Sequence, residues 1–268
     1  MRLHPVLLFL MLALSPAWAQ SPPSTNAAPI APRALPVDPA SVTTSDMAVP
    51  GGVNIHWYGH GFVFLTSSVG IRAAIDPFGP ETVQYTFPPH LTADFVLISH
   101  EAEDHSAAEL VFGNPLIFRS VMAVGLQRAN GIPFHGIALQ KDAAGQGGSN
   151  TAFTLTFDGI TFGYLGQINL PLLNTEKRQL GQIDVLFLPV GLNTLSVAEL
   201  NQVAQDVRAK IIIPINYKTE KSGSLDLRSL DDYLGATKFP VRHIQGSEFV
   251  LTKSMIPQDP TVFVLTSP

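Results

Sequence analysis

The sequence predicts an α/β protein built on mixed β-sheets. Three observations carry that prediction. Strand-like runs first follow one another as a meander, later runs alternate with helical patterns, and several runs are apolar throughout, as strands covered on both faces must be. With 268 residues, 46% of them hydrophobic and 14% charged, the chain can bury one sizeable core.

The N-terminus reads as a leader. Arg2 and His4 precede the apolar run VLLFLMLAL at 6–14, and Ala17 and Ala19 supply an A-x-A cleavage pattern, which predicts a signal peptide over 1–19. A bilayer span needs about 20 apolar residues, so this run is too short to remain as a stable membrane insertion. Residues 20–50 hold seven of the 22 prolines, with many Ala, Ser and Thr; a linker is expected over 20–51 and one domain over 52–268. The mature protein is expected to be exported, periplasmic or extracellular. The absence of cysteine excludes thiolate metal sites, cysteine nucleophiles, disulfides and a lipid-modified N-terminal cysteine. A net charge of −5 and no basic run argue against nucleic acid; the expected partner is a small-molecule ligand or substrate.

Within the domain, VNIHWYG (53–59) alternates and FVFLTS (62–67) follows it. IRAAID (71–76) ends at Pro77, and DFVLIS (94–99) is a continuous apolar run. FTLTF (153–157) and ITFGYL (160–165) flank Asp158-Gly159, a hairpin signal. VLFLPV (185–190) and IIIPIN (211–216) are again apolar strands. SAAELVF from 106 reads as a helix with Ser106 and Glu109 as its capping box, and 196–209 reads as a helix with Val197, Leu200, Val203, Ala204 and Val207 on one face. Ligand sites in such folds collect at strand ends. Here three strand ends turn polar: HEAEDH after DFVLIS, Gly166-Gln167 after ITFGYL, and Asn216-Tyr217 after IIIPI.

The stretch ISHEAEDHS begins like a metal site, with His100, Asp104 and His105 in close succession. Residues 100, 102 and 104 would share one face of an extended stretch, with Glu101 and Glu103 pointing to solvent. A metal-free alternative stays open, since imidazoles beside a carboxylate can simply hydrogen-bond. His56 is expected on an exposed strand face, and His90 and His243 on the surface. Asn150 reads as a turn residue.

Taken together, WYGHGFVFL, AAIDPF, ADFVLISHEAEDH, GIPFH with the following glycine-rich segment, GITFGYLG and AKIIIPINYKT resemble the metallo-β-lactamase superfamily. They are most similar to its compact ascorbate-phosphate lactonase-like branch. The resemblance implies a four-layer αββα sandwich of two mixed β-sheets and a metal-dependent hydrolase site with seven ligand positions. It places His100, Asp104, His105 and His135 as metal ligands, Asp104 as the catalytic residue orienting water, and His60 as a candidate substrate contact. Ala102, Gln167 and Asn216 stand where the family's second histidine, bridging aspartate and last histidine belong. The expectation is therefore an eroded centre, holding no metal or one weakly bound zinc, in a non-catalytic or weakly active relative. An active mononuclear zinc hydrolase of esters, lactones or phosphoesters is the alternative.

Overall fold

The computed structural model of the chain describes residues 51–140 and 148–268. The leader expected over 1–19, and all but the last residue of the linker expected over 20–51, lie outside the described residues. Two sheets form the molecule's centre. The first contains β1 (Val53–Gly59), β2 (Phe62–Thr66), β3 (Arg72–Ile75), β4 (Phe95–Ile98), β5 (Leu116–Arg119) and β13 (Glu248–Leu251), in the order β13-β1-β2-β3-β4-β5. The second contains β6 (Gly125–Ala129), β7 (Ile132–Leu139), β8 (Asn150–Phe157), β9 (Ile160–Tyr164), β10 (Val185–Pro189), β11 (Ile211–Ile215), β12 (Val241–His243) and β14 (Thr261–Val264), in the order β12-β14-β11-β10-β9-β8-β7-β6. Both are mixed. β13 to β3 pair antiparallel and β3 to β5 parallel; β6 to β9 pair antiparallel and the remaining strands parallel.

Coverage on both faces explains the uninterrupted apolar runs. In β4, Phe95 and Leu97 enter the core between the sheets, while Val96 and Ile98 join an outer cluster with Phe62, Phe64, Phe78 and Tyr85. Phe95 meets Phe134 and Phe157 of the opposite sheet, each with ring centroids 6.3 Å apart. The β8–β9 hairpin turns through Asp158 and Gly159, both with positive φ (49° and 76°), as a two-residue type I′ turn requires.

The outer layers differ from each other. Over the second sheet, α1 (Asn174–Leu180) packs on β7, α2 (Val197–Asp206) on β10, and α3 (Leu230–Ala236) on α2. The capping box of α2 is formed: the Ser196 hydroxyl accepts from Glu199 N–H, and the Glu199 carboxylate accepts from Ser196 N–H. Over the first sheet, the layer is largely irregular chain carrying Phe78, Val83, Tyr85, Leu91 and Val111. The helix expected from Ser106 is only a 3-10 turn, Ala108–Leu110, and its N-cap is Ala107, without a side-chain hydrogen bond. Tertiary bonds displace the helical ones: Ala107 N–H donates to Pro77 O, and Phe112 N–H donates to Leu91 O. Gly113 and Pro115 then prevent continuation.

Candidate metal centre

The ends of β3, β4, β9 and β11 and the β1–β2 turn converge on one polar cluster. At its base lies Asp76, fully buried, with φ of 48°. Its carboxylate accepts from Ser99 N–H at 2.7 Å, from the Ser99 hydroxyl, and from His105 Nδ1–H at 3.0 Å. The Tyr164 hydroxyl lies 2.8 Å from Asp76 Oδ2 and 2.9 Å from the Gly61 carbonyl, and its one proton serves both. Burial and the Asp76 charge push the Tyr164 phenol well above its usual range, so it remains a donor.

This arrangement fixes two imidazole tautomers. His105 donates from Nδ1, so Nε2 carries the lone pair. Ser99 spends its proton on Asp76 and accepts from His100 Nδ1–H at 2.8 Å, which also leaves the His100 lone pair on Nε2. Around His105 Nε2 stand the Asn216 amide nitrogen at 3.5 Å and Asp104 Oδ2 at 3.8 Å. Asp104 in turn accepts from His60 Nε2–H at 2.9 Å. Burial pushes His60 below its ordinary pKa, against the opposing pull of the Asp104 hydrogen bond. Burial would raise Asp104, but the His60 hydrogen bond and the neighbouring His105 and His60 outweigh it and hold the carboxyl well below the usual range. Both directions agree with a neutral imidazole donating to a carboxylate. Two buried acceptors at the cluster, His60 Nδ1 and Asn216 Oδ1, have no hydrogen-bond partner among the described residues.

The backbone is bent to fit. His60 and Asn216 share positive φ (48° and 53°) with Asp76, and Asn216 N–H donates to the His60 carbonyl at 2.9 Å. Left-handed conformations of non-glycine residues cluster where a site demands them. Gly61 lets the β1–β2 turn lie on the His105 ring: a Cβ there would stand 2.4 Å from Cε1.

Of the residues expected at the site, His100, Asp104 and His105 come together and His60 joins them. Ala102, Gln167 and Asn216 lie on the same strand ends. Gln167 is partly buried, and its N–H donates to the Asn150 side chain at 3.1 Å. Glu101 and Glu103 are exposed, and Glu101 pairs with Arg119 at 2.5 Å. The extended run expected over 100–104 is corrected: His105 N–H donates to the Ala102 carbonyl at 2.9 Å, closing a turn. His135 is also corrected. It sits within β7 opposite Leu126 and Thr154, whereas β7 reaches the site's end of the sheet only at Leu139, opposite Asn150. Four residues of strand amount to roughly 13 Å. His135 instead lines a separate groove of about 590 Å³ with Arg128, Thr154 and Thr156. The sequence reading missed Asp76, whose only signal was an acid closing a buried strand before Pro77, and missed Tyr164. Asn150 is the first residue of β8, and its amide donates to the Leu165 carbonyl at 3.0 Å, fixing the turn before Gln167.

Comparison with known proteins agrees with the fold. The similar curated proteins include a UPF0173 metal-dependent hydrolase of Methanoregula boonei, 29% identical over 195 residues, covering 62% of this chain and 83% of that protein. Another, from Carboxydothermus hydrogenoformans, is 23% identical over 226 residues, covering 74% of this chain and 100% of its own. Among solved structures, a Thermotoga maritima protein of the metallo-beta-lactamase superfamily, provisionally named a Zn-dependent hydrolase, aligns with a TM-score of 0.65 at 29% identity. That match covers 81% of this chain and 100% of the other. A provisionally named metal-dependent hydrolase from Parabacteroides distasonis shares the fold, with a TM-score of 0.52 at 22% identity, over 69% of this chain and 89% of the other. The family model described as the beta-lactamase superfamily domain matches residues 54–216, more than half of the chain, and the chain belongs to that family.

Proposed function

We propose that this chain is a single-ion relative of the metal-dependent hydrolases, acting on an ester, lactone or phosphoester bond of a small molecule, with lower activity than a two-metal centre would give. The observation that carries this reading is the cluster of His60, Asp104 and His105, whose donor atoms lie within 4.8 Å of one another. Two imidazoles and one carboxylate make a donor set suited to one divalent cation with an open position. A two-ion set does not fit. Ala102 offers no donor, Gln167 and Asn216 offer neutral amides, and His135 is elsewhere. Asp76, His100 and His105 also lie within 4.8 Å of one another, but the oxygens of Asp76 are already engaged by its donors. That cluster orients His105.

His60, Asp104 and His105 would hold the cation, which would supply an acidified water and Lewis-acid polarisation of the scissile bond. The chain's own residues do the rest. Asp76 holds the His105 ring with its lone pair toward Asp104. Asp104 stays ionised and is the acceptor able to orient an attacking water. The Asn216 amide offers a donor beside it. Export remains part of this proposal, supported by the leader pattern at 1–19.

A second reading, a non-catalytic ligand-binding relative, is favoured by one observation: the His60–Asp104, His105–Asp76 and His100–Ser99 pairs close directly on one another. Metal content after dialysis against micromolar zinc separates the two. One equivalent, lost in His105→Ala and Asp104→Ala, is expected; a parent protein without stoichiometric metal would leave only the second reading.

A further inference from the structure

Seven of the eleven large hydrophobic side chains exposed among the described residues fall in one stretch: Phe112, Leu116, Ile117, Val121, Met122, Val124 and Leu126. The stretch comprises the approach to β5, β5 itself, a 3-10 turn (Ser120–Ala123) and the start of β6. β5 is the terminal strand of the first sheet and β6 that of the second, so this ridge carries the open edges of both sheets. Natural proteins normally blunt an open edge with charge, proline or a covering element. Here Leu126, on the edge strand β6, is 86% exposed, and Met122, in the 3-10 turn that joins the two edges, 80%.

We propose that this ridge is the interface of a homodimer, covered by the same ridge of a second copy about a two-fold axis. Area is the first argument. The exposed parts of the seven side chains amount to on the order of 800 Å², which is what one partner contributes to a standard-size interface. Charge is the second. The ridge's charge is confined to two arginines that are already engaged, Arg119 by Glu101 at 2.5 Å and the Ser106 carbonyl at 3.1 Å, and Arg128 on β6 by the Gly131 carbonyl at 2.6 Å. A two-fold axis brings each residue near its own copy or a close neighbour, so a charged ridge would repel itself and a neutral one does not. A membrane-docking face would instead carry a belt of lysine and arginine around its apolar side chains. Each open edge also offers backbone donors and acceptors that an identical antiparallel edge can satisfy. The ridge borders the candidate centre, since Arg119 grips the loop carrying Asp104 and Ser120 bonds Ser149 next to Asn150. A partner copy would therefore form part of the rim of that site.

Sedimentation velocity on the purified full chain across micromolar concentrations tests this, with two sets of variants. The parent is expected to sediment as a dimer, and the Met122→Asp/Leu126→Asp double variant as a monomer with unchanged circular dichroism, its dissociation constant raised at least ~100-fold. The chain has no cysteine of its own, so single cysteines report contact cleanly. Met122→Cys should cross-link into dimers under mild oxidation, and Met255→Cys, 43% exposed just after β13 at the opposite edge of the first sheet, should not. A monomeric parent would overturn the proposal. So would a dimer untouched by the aspartates, or equal cross-linking from both cysteines. Ridge amides protected from hydrogen exchange in a monomer would assign the face to another occupant, residues 20–50 of the same chain included.

Discussion

Asp76 sets the orientation of the cluster without standing among the candidate ligands. It gathers donors from Ser99, Tyr164 and His105 in a site where no oxygen of it reaches water. Asp76→Asn halves the acceptor capacity and points an amide N–H₂ at groups that are themselves donors. Leaving such groups unpaired costs about 3 kcal/mol or more, and a urea titration should show that loss even in chelator; an unchanged midpoint would remove Asp76 from the argument. The replaced positions make the complementary case. Ala102→His, Gln167→Asp and Asn216→His together should raise zinc affinity by ~100-fold or more, since they add two imidazoles and an anion where donors are lacking. Calorimetric zinc titration checks this, and parent-like affinity would mean that these three strand ends do not share one ion site. At this scale the sequence was partly legible. His100, Asp104 and His105 could be read because they lie within one short stretch after a buried strand. His135 was misplaced because its position along β7, and so its distance from the site, is set by pairing with Leu126 and Thr154, which local sequence does not encode.

At the scale of elements, packing decides which local preferences survive. The strands that sequence reveals, β1 to β4 and β8 to β11, are those whose side chains are almost all buried on both faces. The strands it hides are edge or near-edge strands, such as β5 with Leu116 and Ile117 exposed, or β12, wholly exposed. Their pairing comes from neighbours distant in sequence. The lost helix at Ser106 shows the same override, with backbone bonds from Ala107 and Phe112 to the 77–91 segment replacing helical ones. The β1–β2 turn is an element with a functional consequence. Gly61 permits it to rest against the His105 ring, and the His60 carbonyl there accepts from Trp57 Nε1–H at 3.0 Å. Gly61→Ala must move either the turn or the ring. Overpacking of this kind costs about 1–3 kcal/mol, and because the displaced group is a candidate ligand, zinc affinity should fall at least ~10-fold as well. Loss of stability with unaltered zinc binding would show that His105 is not a ligand.

For the whole molecule, the buried cluster links folding to pH. His60 has a folded-state pKa below its ordinary value of 6.5, mainly through burial. The unfolded chain therefore takes up a proton near pH 6.5 that the folded chain refuses, so this contribution is full above that pH and declines as pH falls. Asp104 is depressed below its ordinary 3.8, its His60 hydrogen bond and the neighbouring imidazoles overcoming the opposing effect of burial. Its contribution is full above pH 3.8 and is lost as pH falls through the lower folded-state value. The two effects share a sign and act in succession: stability should decline gently below neutrality, then more steeply below about pH 4. Urea midpoints measured in chelator from about pH 8 to about pH 3 should trace both limbs. His60→Gln should flatten the upper limb by removing the refused proton, and soften the lower one by weakening the hydrogen bond that depresses Asp104. Asp104→Asn should remove its share of the lower limb. If the parent and His60→Gln curves run parallel between pH 7 and 5, His60 is not the buried neutral imidazole described here. If the parent instead gains stability over His60→Gln as pH falls through about 6.5, the His60–Asp104 pair is a charged ion pair, because only a folded-state pKa above the ordinary value reverses the sign of the limb.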